Sequence, residues 1–355
     1  MTGGLWQFPK SALGHANQGV QDNRDMHIVI SHAAAAGPRC RAASATLNLP
    51  HLRALLQRVA AQTRHTGTPH SLTPLAEHLA TGQAYPDGLV PWAAWLAQAH
   101  GLCQSGQHWA LISPCHLQIH SDHVAMQDPD ALQLPEDASR TLLAAMQPYF
   151  EEDGIALHWH SALTWLAQGP VFQDLASASL ARARGQPIDA WIPRQSAAQG
   201  LRRLQNEMQM LLYTHALNDA RSASGQVPVN GFWISGTGSP LPTSAAAHVT
   251  DSYALALFAP TSGPFGLISP HAMYIETLSV SALRDDAQAW TQVWQDLDTE
   301  VFAPLAALQA SGHSISITFC GEKGARTCVL GRTSLWQRIQ QAWSAPALNH
   351  FLHDL

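Results

Sequence analysis

Apolar residues recur at spacings of three and four along several stretches of the chain, and this spacing predicts helices with one buried face. It is clearest in AAQGLRRLQNEMQMLLYTHAL, which places Leu201, Leu204, Met208, Leu211 and Leu212 on one side. The same spacing predicts helices in LPHLRALLQRVA, SLTPLAEHLA, PWAAWLAQAHGL, LPEDASRTLLAAMQPYF, DDAQAWTQVWQDLDTEVFAPLAAL and SLWQRIQQAW. Because the Trp residues occur mostly at these positions beside Leu and Ala, we expect them to pack in the core.

Short apolar or alternating runs that end at Gly, Pro or polar residues predict β-strands. They occur in MHIVIS, HWALISPCHLQIHSDHVAMQD, GIALHWHSALTWLAQG, VNGFWISGTG, YALALFAP and HSISITFCGEKGARTCVL. The polar pair Ser121 and Asp122 marks the turn of a hairpin. Strands separated by helices favour a largely parallel α/β sheet, and the β-β-α-β-β order over 108–168 predicts a small α+β unit inserted into it.

The composition of the chain argues against a nucleic-acid-binding protein and against a membrane protein. The chain has 355 residues, of which 46% are hydrophobic and only 12% charged, and its formal net charge is −6. Short basic pairs such as Arg202 and Arg203 do not form the patch that nucleic-acid binding requires. No CxxC pair occurs among the five Cys, and no apolar run is long enough to cross a bilayer. We therefore expect a cytoplasmic protein with reduced thiols that binds neither nucleic acid nor membrane.

Twenty histidines raise the question of a metal site. In CHLQIHSDHV, His116 and His120 are separated by an even number and share a strand face, and His123 follows the predicted turn. These side chains, with Cys115 and Asp122, form one candidate cluster. A second candidate is the sequence HWH at 158–160. The alternative interpretation is that exposed histidines replace charged residues on the surface.

A second group of polar residues follows the strongest predicted helix. His215, Asn218 and Arg221 are spaced by three, so a continuing helical turn would keep them on one side. A guanidinium, an imidazole and an amide suit an anion or a phosphoester. The same residues suit a helix C-terminus, where His and Arg complement the dipole. Spacing alone leaves both interpretations open.

The sequence HALNDARSASGQVPVNGFWISGTG resembles a segment of the archaeal-type, cofactor-independent phosphoglycerate mutases. That family has His-Pro-Val-Asn, an Arg, a Gly, Pro-Ala-Asn, an apolar strand and Arg-Gly-Ala-Gly in this order. The matching positions here are His215, Asn218, Arg221, Gly225, Pro228, Asn230, Gly236 and Gly238. The resemblance extends over about residues 105–335 and is closest to a bacterial, phosphoglycerate-mutase-like branch.

The resemblance implies an alkaline-phosphatase-like α/β core with a mostly parallel sheet, helices on both faces and an inserted, smaller α+β cap domain. On this basis residues 26–107 and 230–355 are expected to form the core and 108–229 the cap. Residues 1–25 show no periodicity and are expected to form an N-terminal arm. The family carries two divalent metal ions and a Ser nucleophile. It thereby implies substrate-binding roles for His215, Asn218, Arg221 and Asn230.

Several positions depart from the family pattern. The family has Asp-Gly after its first strand and Gly-Asp-His near its last strand, whereas this chain has ISHAAAAG and Gly321, Glu322 and Lys323. The Arg of Arg-Gly-Ala-Gly is Ser235 here, and no convincing Pro-Gly-Ser nucleophile motif occurs. Two close dications need several anionic ligands, and an ammonium group has no lone pair to coordinate a metal. The departures therefore predict that the two-metal centre is absent or heavily altered.

The sequence thus predicts a degenerate relative of these mutases, a pseudoenzyme with no assigned catalytic or metal-binding residue and no cofactor. It would bind a phosphorylated metabolite or a protein partner. One alternative is an active phosphoglycerate mutase or phosphohydrolase with rearranged ligands, using a divalent metal such as Mn or Zn at His116, His120 and His123. Another is a regulatory protein-interaction module that uses exposed Trp/Ala helices and the N-terminal arm.

Overall fold

The computed structural model describes residues 25–35, 37–68, 70–81, 85–102, 106–193, 198–239, 267–269, 272–321, 324–331 and 348–355. Three predicted features lie outside these residues: the arm up to residue 24, the strand YALALFAP at 253–260 and the helix SLWQRIQQAW at 334–343. Glu322 and Lys323 of the predicted polar turn also lie outside them.

The described strands and helices follow the hydrophobic pattern in most of the chain. In chain order the strands are β1 (Asp25–Ile30), β2 (Val59–Thr66), β3 (Trp109–Cys115), β4 (Leu117–Ile119), β5 (Val124–Met126), β6 (Ala156–Ser161), β7 (Thr164–Gln168), β8 (Gly231–Ser235), β9 (Leu267–Ser269), β10 (Ala272–Ile275), β11 (Ser314–Cys320) and β12 (Gly324–Leu330). The α-helices are α1 (Pro38–Ala43), α2 (Pro50–Leu56), α3 (Leu75–Ala80), α4 (Trp92–Ala99), α5 (Glu136–Glu152), α6 (Leu180–Ala183), α7 (Gln199–Tyr213), α8 (Ala216–Ala223), α9 (Ser279–Leu283), α10 (Ala287–Leu297), α11 (Ala303–Ala310) and α12 (Leu348–His353).

The chain divides into two compact units. Unit 1 comprises Met1–Thr68 and Ala259–Leu355, and unit 2 is the continuous segment Pro69–Phe258, which interrupts unit 1 in sequence. The sequence predicts a shorter insertion, 108–229. The structure differs because α3 and α4 belong to unit 2 at one end, and β8 belongs to it at the other, where β8 pairs with β3.

Unit 1 is built on a mixed sheet with the strand order β2-β12-β11-β1-β10-β9. The central strand β1 is parallel to both of its neighbours, β10 and β11. The remaining described pairs are antiparallel. The sheet is therefore mixed rather than mostly parallel, because β11 and β12 are joined by a short turn, and short turns connect antiparallel strands.

The core of unit 1 lies on one face of this sheet. Ile28 and Ile30 of β1 are fully buried there, as are Ile317 and Phe319 of β11. Trp290 and Trp294 of α10 join the same cluster, as do side chains of α2 and α11. Since side chains alternate along a strand, His27 and Thr318 point to the opposite face.

Unit 2 contains an antiparallel sheet with the order β6-β7-β3-β8, and the separate hairpin β4–β5. The predicted β-β-α-β-β order corresponds to the observed strands and to α5, except that the first predicted strand is divided into β3 and β4, which belong to different sheets. α5 and α7 bury Phe150, Leu204 and Met208 in one cluster with Trp165 of β7. The strong helical spacing of both sequences thus corresponds to faces packed against a core.

The Trp residues of α4 and α10 occupy buried positions, which confirms the expectation from their spacing. Trp92, Trp95, Trp290 and Trp294 are each less than 5% exposed. The expectation that exposed Trp/Ala helices form an interaction surface is therefore wrong for these two helices. Within the described ranges, no helix has both the length and the apolar character required to cross a membrane.

Candidate functional site

The segment that carries the predicted site is a short second helix rather than a continuation of α7. α7 ends at Tyr213, and His215 caps the start of α8, where its Nδ1 accepts a hydrogen bond from the N–H of Leu217 at 3.2 Å. A neutral imidazole that accepts at Nδ1 carries its proton on Nε2. Half-buried His215 therefore keeps an Nε2–H group that is free to donate to a ligand.

Asn218 lies on the buried side of α8 and binds main-chain atoms with its whole amide. Its Nδ2 donates to the carbonyl oxygens of Leu212 at 2.8 Å and Val229 at 2.7 Å. Its Oδ1 accepts from the N–H of Val229 at 2.9 Å. The side chain is 5% exposed and joins the end of α7 to the segment before β8.

Arg221 is the buried cation of this segment. Its Nε donates to the carbonyl oxygen of Val227 at 2.9 Å, and its Nη2 donates to that of Leu132. The residue is 4% exposed, and burial lowers the pKa of the guanidinium. A guanidinium keeps its proton in proteins, so the charge persists. No carboxylate within the described residues pairs with it.

Asn230 directly precedes β8, and its side chain pairs with Leu117, which lies beyond the end of β3. Its Oδ1 accepts from the N–H of Leu117 at 2.7 Å, and its Nδ2 donates to the carbonyl oxygen of Leu117 at 2.9 Å. The structure thus brings His215, Asn218 and Arg221 together on one short helix and places Asn230 against the start of β4. All four side chains bind main-chain atoms, and their substrate-binding role stays a prediction.

The histidines of the candidate metal cluster have separate partners. Nδ1 of His116 donates to the carbonyl oxygen of Pro228 at 2.8 Å. The rings of His120 and His123 stack with their centroids 4.6 Å apart, and His123 contacts the exposed carboxylate of Asp122 at 2.7 Å. Burial raises the pKa of the Cys115 thiol to about 12, so this group is a poor ligand.

The second histidine candidate, HWH, also distributes its rings among neighbours. His158 packs against Trp109 with centroids 5.5 Å apart, and His160 packs against His100 at 4.9 Å. Across the part of the chain that the structure describes, no three His, Cys, Asp or Glu side chains are arranged to hold a metal ion. The convergence of His116, His120 and His123 on one cation, which the sequence offers as an alternative, is therefore not found among the described residues.

A further group of polar residues follows the parallel strands of unit 1, where open α/β sheets bind ligands. The N–H of Ser31 donates to the carbonyl oxygen of Ile275, and the N–H of Ala33 donates to that of Cys320, both at 2.8 Å. Ser31 is buried, and its Oγ lies 2.8 Å from Nδ1 of His32. His32 has a φ of 53°, which is uncommon for a residue other than Gly. In the sequence, the signal for these two residues is their position directly after the first predicted strand, where the resemblance indicates a missing acid.

The described residues at this edge do not fit a two-metal centre. β1 is followed by Ser31 and His32, which bind each other, and burial raises the pKa of the Cys320 thiol to about 12. Among the described residues that directly follow β1, β10 and β11, Glu276 after β10 is the one with a carboxylate. Two adjacent dications require several anionic ligands to offset their repulsion.

Comparison with known proteins gives a relationship of fold. No protein-family model and no curated protein sequence matches the chain. Among solved structures, the PH0037 protein from Pyrococcus horikoshii is similar, with a TM-score of 0.50 and 10% identity over 90% of this chain and 93% of that one. A cofactor-independent phosphoglycerate mutase from Thermoplasma acidophilum matches with a TM-score of 0.36 and 13% identity over 88% of this chain and 90% of that one. The chain therefore shares a mixed α/β fold with PH0037.

Proposed function

We propose that this protein is a degenerate relative of the cofactor-independent phosphoglycerate mutases that binds a phosphorylated metabolite without the two-metal centre. The proposed ligand site is formed by His215, Asn218, Arg221 and Asn230. Asn218 and Asn230 hold the segment in place through the main chain. His215 supplies the ligand-facing donor, and Arg221 supplies the positive charge.

The observation that carries this proposal is the uncompensated charge of Arg221. The guanidinium is 4% exposed and binds two carbonyl oxygens, and no carboxylate in the described part of the chain neutralises it. A buried charge is costly unless an opposite charge compensates it. An anion that binds near the start of α8 would supply that charge, and Nε2–H of His215 would donate a hydrogen bond to it.

The side chains after β1 support the proposal that this protein lacks the two-metal centre of the phosphoglycerate mutases. Ser31 and His32 stand where the family has its metal-binding Asp, and they bind each other. The two metal ions of the family polarise the transferred phosphoryl group and activate its Ser. Because the described residues do not fit such a centre, we derive no catalytic step from them.

Titration calorimetry tests whether the protein binds a phosphorylated ligand. We expect 3-phosphoglycerate to bind the wild-type protein, and we expect His215→Ala to weaken binding by about tenfold because one hydrogen bond to an anion is lost. His120→Ala, at an exposed hairpin position, should leave the affinity unchanged. Absence of heat with 3-phosphoglycerate and with inorganic phosphate would remove the proposal.

Elemental analysis tests the loss of the metal centre. The protein should be purified without chelators and then assayed for mutase and phosphatase turnover with added Mn²⁺ and Zn²⁺. We expect no stoichiometric divalent metal and no turnover. Two bound metal ions per chain together with turnover would establish the active-enzyme alternative instead.

A further inference from the structure

Two arginines of unit 1 lie side by side on neighbouring strands. Arg64 of β2 and Arg326 of β12 are direct partners in the antiparallel pairing of these strands. Side chains that are directly opposite each other lie on the same face of a sheet, and two like charges in this position repel each other. An anion that binds both guanidinium groups would offset this repulsion.

The carboxylate of Asp354 is bound at this position. Its Oδ2 lies 3.3 Å from Nη2 of Arg326 and 3.6 Å from Nη2 of Arg64. Both guanidinium groups therefore converge on a single oxygen atom, which locates the anion-binding position. No other carboxylate of the described residues pairs with either arginine. Within the described part of the chain, two positive charges thus share one negative charge.

Arg326 is the buried member of the pair and provides a second observation that points to a ligand. Its side chain is 5% exposed, and its guanidinium carbon lies 4.6 Å from the ring centroid of Phe351. Its Nε is buried without a hydrogen-bond partner among the described residues, which is rare for a buried donor. Nε and Nη2 form the edge of a guanidinium that binds two oxygen atoms of one anion side by side. Asp354 occupies Nη2, and Nε on the same edge is left unpaired.

The Asp354 carboxylate can be displaced while α12 stays in place. Phe351 and Leu352 anchor α12 in the core of unit 1. Asp354 directly follows this helix, and its side chain is 57% exposed. Because water screens an exposed carboxylate, its ion pairs contribute little free energy. A change of the Asp354 rotamer therefore frees both arginines at small cost, and the helix does not have to detach.

We propose that Arg64 and Arg326 form a binding site for the phosphate group of a small molecule, and that Asp354 is an internal ligand that this group displaces. A phosphate group carries a charge of about −1.5 to −2 at pH 7, so it neutralises both arginines, whereas a carboxylate neutralises one. Its several oxygen atoms can bind Nε of Arg326 in addition to both Nη2 atoms. The site lies in unit 1, and none of its residues belongs to the segment 215–230 of the proposed function.

Thermal unfolding of the full chain tests the proposal, because a ligand that binds the folded state raises Tm in a saturable manner. The protein is dialysed into sodium chloride and titrated with sodium phosphate or with glycerol 3-phosphate at constant ionic strength. We expect a saturable rise of Tm with at least one of the two. The order of their apparent affinities distinguishes a site for free phosphate from a site for a phosphate ester.

Variants of Asp354 test the competition. Asp354→Asn should increase the apparent affinity for the phosphate compound several-fold, because the competing carboxylate is lost while the two arginines remain. The matched control is Glu300→Gln, which removes an exposed carboxylate of unit 1 and should retain the wild-type affinity. A purely structural role of Asp354 would lower Tm in the absence of phosphate and leave the affinity unchanged.

Variants of the arginines assign the effect to the site. Arg64→Gln should lower the apparent affinity several-fold, whereas Arg53→Gln, which removes an exposed arginine of α2, should retain it. Arg326→Gln should abolish the saturable rise of Tm. If this variant does not fold, Arg64→Gln decides the matter, because its side chain is exposed and its loss leaves the core intact.

Two kinds of result would overturn the proposal. The first is the absence of a saturable rise of Tm in the wild-type protein, or an unchanged apparent affinity in Arg64→Gln or in Asp354→Asn. The second is a response that is lost in His215→Ala and retained in Arg64→Gln. That result would place phosphate binding in unit 2 and leave the proposed function standing without this site.

Discussion

Asn218 and Arg221 are polar side chains that the fold buries against main-chain atoms. Together they bind carbonyl oxygens of Leu212, Val227 and Val229 on the segments that flank α8. Buried main-chain groups need such partners wherever no regular ladder supplies them. The residue types that suggest an anion site in the sequence therefore also stabilise this segment. A structural role affects the stability of the ligand-free protein, whereas a binding role does not.

We expect Arg221→Met to lower the free energy of unfolding of the ligand-free protein by about 2–4 kcal/mol, because the carbonyl oxygen of Leu132, which is buried, and that of Val227, which is partly buried, lose their partner. The matched control is Arg203→Met on α7, which removes an exposed ion pair with Asp153 and should cost clearly less than Arg221→Met, because solvent screens exposed ion pairs. Urea unfolding followed by Trp fluorescence measures both. Equal stability of the two variants would show that Arg221 has no structural role.

At the scale of the element, α2 depends on a residue from another part of the chain. Leu49, at its N-cap, provides no side-chain hydrogen bond. Asp298, in a π-helical turn (Asp298–Phe302) after α10, provides the capping hydrogen bonds instead. Its Oδ1 accepts from the N–H of Leu52 at 2.8 Å, and its Oδ2 accepts from the N–H of His51 at 3.2 Å. A buried carboxylate in this position satisfies free N–H groups and complements the helix dipole.

Asp298→Ala should therefore lower the free energy of unfolding by about 1–3 kcal/mol through the loss of this cap. Glu300→Ala removes an exposed carboxylate from the same π-helical turn and should change stability by less than about 0.5 kcal/mol. Denaturant titration of both variants gives the comparison. A cost for Asp298→Ala no larger than that for Glu300→Ala would contradict the capping role.

Four strands of unit 1 share a chain of polar side chains on the face opposite the core. Nε2 of His27 lies 3.0 Å from Oγ1 of Thr318, which lies 2.8 Å from Oγ1 of Thr327, and that oxygen lies 2.9 Å from Nε2 of His65. Burial, and secondarily the proximity of His65, lowers the pKa of His27 to about 4. The fold therefore holds His27 in its neutral form.

This depressed pKa makes stability depend on pH in a defined direction. Between pH 4 and 6.5 the unfolded chain binds a proton at His27 and the folded chain does not, so stability rises with pH across this window. Acidification from pH 6.5 to 4 should cost up to about 3 kcal/mol at this residue. His27→Gln should remove that part of the pH dependence, whereas His51→Gln, at an exposed position, should retain it. Parallel pH profiles for His27→Gln and the wild type would refute the assignment.

Strand β2 is one of the elements that the hydrophobic pattern failed to predict. Val59 is buried, whereas the five residues that follow it are exposed, so the strand shows no apolar–polar alternation. The predicted helix LPHLRALLQRVA instead ends with α2 at Leu56. β2 forms because β12 offers it an antiparallel partner, and that pairing is not encoded in the local sequence.

At the scale of the molecule, each unit has its own hydrophobic core. The cluster around Ile28, Phe319 and Trp294 belongs to unit 1, and the cluster around Phe150, Trp165 and Leu204 belongs to unit 2. A continuous segment with a core of its own can fold independently.

We therefore expect residues 69–258, expressed alone, to unfold cooperatively and to give a near-UV circular dichroism signal from Trp109 and Trp165. The shorter segment 108–229 is the matched control, because it lacks β8 and leaves the edge of β3 unpaired. We expect this control to be unfolded or aggregated. Cooperative unfolding of 108–229 with the stability of 69–258 would favour the boundaries that the sequence predicts.

Local patterns in the sequence determined much of the secondary structure. The spacing of Leu201, Leu204 and Met208 defines the buried face of α7, and the turn at Ser121 defines the hairpin β4–β5. These features depend on residues within one or two turns of each other, where periodicity and turn chemistry act directly.

Only the tertiary structure decided which strands pair and where the buried polar groups find partners. β8 pairs with β3 across more than a hundred residues, Asp298 caps α2, and Arg221 binds the carbonyl oxygen of Leu132. Such contacts depend on long-range geometry that the composition of either segment does not contain. For the same reason the residues of the candidate site could be selected from the sequence, whereas the main-chain partners of Asn218, Arg221 and Asn230 could be identified only from the fold.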